Sequence, residues 1–154
     1  MITKLFIDGS VNPQQRLGFG AYLSLRDEDK ASEVHLKLFK DTSSTQLELE
    51  TFLWVIEEIN IETELSIYTD CQNIIGLPSR REKLEKSNYH TKTGKPIKHK
   101  ELYKKFFCLT DKYPCTFIKV KGHKKSHLKD PIDKLFTLVD KGSRDALRKY
   151  VLKM

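Results

Sequence analysis

Residues 4–13 read Lys4-Leu5-Phe6-Ile7-Asp8-Gly9-Ser10-Val11-Asn12-Pro13, an apolar run that stops on an acid and gives way to turn-forming residues. Leu5, Phe6 and Ile7 have the bulk of a buried strand. Gly9, Ser10, Asn12 and Pro13 are turn formers. A lone carboxylate directly after a buried strand is costly to desolvate, so neighbours or a cation must compensate. Reactive groups in sheets covered by helices gather at such strand ends. Working outward, residues 18–26 read as a second strand, and residues 33–39 alternate, with Val34, Leu36 and Leu38 on one face. Short turns between three strands predict an antiparallel meander.

A helix is expected next. Ser43, Ser44 and Thr45 are N-cap candidates, and Thr45 with Glu48 has the spacing of a capping box. Leu49, Phe52, Leu53, Ile56 and Ile59 make its apolar stripe. Glu48 sits beside that stripe, one turn in, and can look toward the strand ends. Residues 64–69 form a fourth strand that stops, like the first, on an acid, Asp70. A short helix from about Cys71 to Leu77 is expected to end at Pro78. A basic stretch poor in apolar residues follows to about Pro96, then a helix over 98–110 and a fifth strand over 115–121. Asp130 as N-cap and Pro131 at the first helical position open a long last helix. Its expected buried stripe is Ile132, Leu135, Phe136, Val139, Ala146, Leu147 and Tyr150.

This order places the chain in the α/β class. It predicts a five-stranded mixed sheet, three antiparallel strands then two parallel, flanked by helices. The 154 residues form a single expected domain, 1–154, large enough to bury its own core. The net charge of +7 points to a partner rich in phosphate. The surplus concentrates in residues 80–105 and 119–129. No apolar run approaches the roughly 18 residues that span a bilayer, and the first apolar stretch is too short for a signal peptide. A cytoplasmic protein without a membrane partner is expected. Cys71, Cys108 and Cys115 are odd in number and widely spaced, as reduced thiols rather than a zinc site or disulfides.

Asp8, Glu48 and Asp70 would repel one another if they converged, and such a cluster persists when divalent cations fill it. Carboxylate oxygens suit Mg²⁺ or Mn²⁺. Two such ions about 4 Å apart can activate a water and stabilise the leaving oxygen of a phosphodiester.

Five short motifs, in order along nearly the whole chain, resemble type 1 ribonucleases H, including the ribonuclease H domains of reverse transcriptases. They are Asp8-Gly9-Ser10 with Asn12-Pro13, Gly18-Phe19-Gly20-Ala21, Ser44-Thr45-Gln46-Leu47-Glu48-Leu49, Thr69-Asp70-Cys71-Gln72, and Val120-Lys121-Gly122-His123. Residues 79–105 resemble the family's basic protrusion that grips the hybrid. The turn after Asp8 is shorter than the family's, and Gln14-Gln15-Arg16 replaces its glycines.

The resemblance implies an endoribonuclease that hydrolyses the RNA strand of RNA/DNA hybrids with two Mg²⁺ ions (or Mn²⁺), leaving 5′-phosphate and 3′-hydroxyl ends. It implies Asp8, Glu48, Asp70 and one late Asp as metal ligands. His123 would assist proton transfer or product release from a mobile loop. Gly9, Asn12, Ser44, Thr45, Gln46 and Gln72 would line the minor groove of the hybrid. Counting from His123 without a gap puts the late Asp at Asp133. The local pattern, with a small residue and an Arg three and four positions on, favours Asp140. Seven residues separate the two, so they share a helix face and periodicity does not choose between them. A free-standing, monomeric enzyme is expected. The rival readings are a weak or inactive module that binds hybrid or duplex RNA, and a nuclease or integrase-like enzyme with another substrate.

Overall fold

The structure, a computed structural model, describes residues 2–26, 31–59, 64–121 and 130–154. Its centre is β1 (Ile2–Asn12), in which Leu5 and Phe6 are both fully buried. A strand covered on both faces reads as a continuous apolar run. On one side β2 (Leu17–Arg26) pairs antiparallel with β1, and β3 (His35–Lys40) pairs antiparallel with β2. On the other side β4 (Glu64–Thr69) runs parallel to β1, and β5 (Cys115–Lys119) parallel to β4. The order is β3-β2-β1-β4-β5, the mixed sheet that the element order predicts.

Alternation along β1 divides the molecule into two cores. Leu5 and Ile7 face a cluster with residues of α1 (Ser44–Glu58), α2 (Gln72–Lys86) and α3 (Lys100–Lys112). Phe6 faces the other way, toward Phe136 and Val139 of α4 (Pro131–Leu152), and stacks on Tyr68 of β4. Asp130 caps α4 as expected. Beyond Ser143 the expected stripe of α4 is only half covered, with Tyr150 packed edge-on against Phe19. Among the described residues, no helix is long and apolar enough to cross a membrane.

Four local expectations are corrected. Gly9 to Asn12 belong to β1 rather than to a turn, because pairing with β2 runs unbroken to Asn12 opposite Leu17. The glycines of this region answer to packing. A Cβ on Gly18 would lie 2.5 Å from the Ser10 carbonyl oxygen and 2.8 Å from Leu47 of α1. We expect Gly18→Ala to lower the unfolding free energy by about 1–3 kcal/mol. The readout is a lower urea midpoint at unchanged slope, and an unchanged midpoint would show that α1 can retreat without cost.

Second, α2 continues through Pro78 to Lys86. The proline costs that helix about 3 kcal/mol locally, and burial of Leu77 and Leu84, each worth about 2 kcal/mol, offsets it. Third, Ser43 rather than Thr45 caps α1, its Oγ accepting from the Gln46 N–H, so the Thr45–Glu48 capping box does not form. That leaves the Glu48 side chain available for other contacts. Fourth, β3 begins at His35 and β5 ends at Lys119, each two residues shorter than expected at that end.

Candidate active site

β1 and β4 run parallel with Phe6 beside Tyr68. Continuing that register by two residues sets Asp8 level with Asp70, each just past the apolar part of its strand. Alternation also fixes the side on which Asp8 lies. It shares the face of Phe6, and therefore looks toward α4. There it comes close enough to Asp140 for the two carboxyls to share a proton. Burial, the Asp70 charge and Asp140 push the Asp8 carboxyl up to about 8, against a favourable hydrogen bond from the Gly9 N–H. Two carboxylates share a hydrogen bond only through a proton.

Glu48 approaches from α1, on the opposite face. Burial raises its carboxyl above the ordinary range, a hydrogen bond from the Cys71 thiol opposes this, and the Asp70 charge adds to it. Cys71 itself caps α2, its sulfur accepting from the Ile74 N–H at 3.4 Å. Burial and Glu48 push that thiol up to about 12, so it stays protonated and donates. Ile7, Asp8, Gly9, Ser44, Glu48 and Asp70 are among the residues lining one hollow at this end of the sheet.

Asp140 and Asp133 are separated by what each is doing. Asp133 closes the capping box of α4. Its N–H donates to Asp130 Oδ1 at 2.8 Å, and its Oδ2 accepts from the Asp130 N–H at 3.2 Å. Asp140 is half-buried, touches Asp8 and pairs with Arg144 at 3.2 Å. Two contacts set the direction of α4 along β1: Asp140 with Asp8, and Ser143 with Ser10 at 3.1 Å. Asp133 is therefore about 10 Å back along the helix, toward the other end of β1.

The remaining expected residues fall around this centre. Ser44, Thr45 and Gln46 occupy the first turn of α1. Gln72 opens α2, and its amide oxygen accepts from Lys119 Nζ at 2.7 Å. Asn12 ends β1 and shapes the following turn, its Oδ1 accepting from the Gln15 N–H at 3.0 Å. His123 lies outside the described residues. Segment 79–105 comprises the second half of α2, a connection closed by a bridge between His90 and Pro96, and the start of α3. Arg80, Lys83, His90 and Lys92 border a groove there. Sequence reasoning missed the Cys71 bond to Glu48 and the Ser10–Ser143 contact. Cys71, next to an acid at a strand end, was the signal for the first.

The acids meet in pairs: Asp8 with Asp70 and Asp140, and Glu48 with Asp70. Among the described residues, no three ligating side chains already close on one point.

The sequence matches the RNase H family over residues 2–137. That span takes in Asp133 and stops short of Asp140, so support for Asp140 comes from its contact with Asp8 and not from the family match. The ribonuclease H of Clostridium botulinum (strain Hall) is 30% identical over 135 residues, covering 85% of this chain and 90% of that one. The ribonuclease H of Acetivibrio thermocellus is 28% identical over 137 residues, covering 86% and 90%. Among solved structures, LC9-RNase H1, described as a type 1 RNase H with the type 2 active-site motif, superposes with a TM-score of 0.73. It is 13% identical, and the superposition covers 94% of this chain and 71% of that one. The protease–reverse transcriptase of prototype foamy virus gives 0.74 at 16% identity, over 93% of this chain and 20% of that one. At these identities the superpositions speak for the fold alone.

Proposed function

The chain belongs to the RNase H family, and on that premise we propose that it is an endoribonuclease hydrolysing the RNA strand of RNA/DNA hybrids. The observation that carries the reading is the pairwise approach of the acids: Asp8 beside Asp140 of α4 and within the field of Asp70, and Glu48 within the field of Asp70.

The residues fit a hard divalent cation. Asp8 is buried between two other acids and is pushed up to about 8, so near neutral pH it needs either a proton or a positive ion. The donors are carboxylate oxygens, which suit Mg²⁺ or Mn²⁺. Asp8, Glu48, Asp70 and Asp140 would hold two such ions. Bound there, the ions would lower the pKa of a water and stabilise the oxygen that leaves.

The chain's own groups supply the rest. The Cys71 thiol holds Glu48 in place. Gly9, Asn12, Ser44, Thr45, Gln46 and Gln72 would line the minor groove of the hybrid and read its 2′-hydroxyls. Cations of segment 79–105 would grip the backbone beyond. His123 would take or give a proton as the product departs. The products would carry 5′-phosphate and 3′-hydroxyl ends.

A substrate panel tests this. Labelled hybrid, single-stranded RNA, duplex RNA and duplex DNA are each incubated with Mg²⁺ or Mn²⁺. Cleavage of the RNA in the hybrid, with the other three left at least about tenfold slower, is the expected result. Preferential cutting of duplex DNA would assign the chain another substrate, and binding of hybrid without cutting would make it a binding module.

A further inference from the structure

Ser143 lies inside α4 with no exposed surface. A hydroxyl in such a place costs free energy unless it is hydrogen-bonded, and Ala would pack there without that cost. Its single proton goes to the Asp140 carbonyl oxygen, at 3.0 Å. The Ser10 and Ser143 hydroxyls are 3.1 Å apart, and with the Ser143 proton on the Asp140 carbonyl it is Ser10 that can donate across this contact. A chain of two hydrogen bonds runs from Ser10, two residues past Asp8 on β1, to the helical turn that carries Asp140.

The same turn is tight elsewhere. A Cβ on Gly142 would come within 3.2 Å of Val34. Gly and Ser are poor helix-interior residues, together costing about 1 kcal/mol or more against Ala. Gly142 packs against Val34, just ahead of β3, and Ser143 against Ser10 of β1. The helix gives up propensity to hold one close, directional contact beside the acids.

We propose that the Ser10–Ser143 hydrogen-bond chain is a positioning device that sets Asp140 opposite Asp8. It rests on the reading above, in which these two acids hold metal. Ser10 and Ser143 touch neither substrate nor ion in this role; they fix the level of α4 along β1.

The test uses Ser10→Ala, Ser143→Ala, the double variant and Ser10→Thr, which keeps the hydroxyl. Three quantities are read: kcat and KM on hybrid with Mg²⁺, Mn²⁺ binding by electron paramagnetic resonance, and the melting temperature in EDTA. Each Ala variant should lose about tenfold in kcat and about tenfold in Mn²⁺ affinity. KM should stay within about twofold, and melting should shift by only a few degrees. The double variant should be no worse than either single, because both remove one linkage. Ser10→Thr should recover kcat.

The inference is overturned if the single variants keep wild-type kcat and Mn²⁺ affinity, if their losses multiply in the double variant, or if only melting falls. Should Ser143→Ala fail to fold, Ser10→Ala and Ser10→Thr decide. A wild-type protein that binds Mn²⁺ but does not cut hybrid refutes the proposed function and leaves the binding measurements to judge the linkage. A wild-type protein that binds no Mn²⁺ refutes both.

Discussion

Asp140→Asn is expected to lower hybrid cleavage by about 10³-fold, the loss of roughly 4 kcal/mol of transition-state stabilisation. Asp133→Asn is expected to keep kcat within about threefold. The asymmetry comes from what each carboxylate touches. Asp140 lies beside Asp8, which is buried and feels the Asp70 charge, so removing it takes away the carboxylate that α4 would contribute to the proposed metal site. Asp133 faces Asp130 across the start of α4, about 10 Å along the helix, and closes a capping box. Its loss should appear as stability, about 0.5–1 kcal/mol, in a urea titration. Full activity in Asp140→Asn with loss in Asp133→Asn would reverse the assignment.

Asp8→Asn should abolish cleavage and yet stabilise the metal-free protein. Asp8 is held at about 8 in the folded state by burial, Asp70 and Asp140, against about 3.9 in an unfolded chain. The folded state therefore binds the proton more tightly. That contribution to stability is complete below about pH 4 and is lost as pH rises toward 8. Asn cannot ionise and escapes this loss. Partial exposure at the strand ends limits the effect to about 2 kcal/mol at pH 8, a rise of about 4–8 °C in melting temperature in EDTA. The gap should close as the pH is lowered to 4. Mg²⁺ should raise the melting temperature of the wild type and leave that of Asp8→Asn nearly unchanged. A variant that melts below the wild type at pH 8 in EDTA would show that the acids do not strain one another.

What the sequence disclosed and what it withheld follow a physical division. Asp8 and Asp70 were legible because each ends a short apolar run, and a buried strand cannot leave a carboxylate at its tip without reason. Strand order was legible because helices and strands alternate in only a few allowed ways. Pro78 misled because local propensity was read without the burial of Leu77 and Leu84, which only the folded chain supplies. Gly9 and Ser10 misled for the same reason, since their strand conformation comes from pairing with Gly20 and Phe19. Three hydroxyl residues in a row at the start of α1, Ser43, Ser44 and Thr45, gave no local means of choosing Ser43 as the cap. The choice between Asp133 and Asp140 was open because seven residues bring a helix back to the same face. What separates them is the level of α4 along β1, fixed by contacts such as Ser10 with Ser143 that link residues far apart in the chain.

The central claim is that the acids at the ends of β1 and β4, with those of α1 and α4, cut RNA in a hybrid with the help of divalent metal. Its most direct test is cleavage of a 5′-labelled RNA annealed to DNA, with the purified chain in Mg²⁺ and again in excess EDTA. Internal cuts with 3′-hydroxyl ends are expected in Mg²⁺, and intact RNA in EDTA. Intact RNA in both, or equal cutting in both, would contradict it.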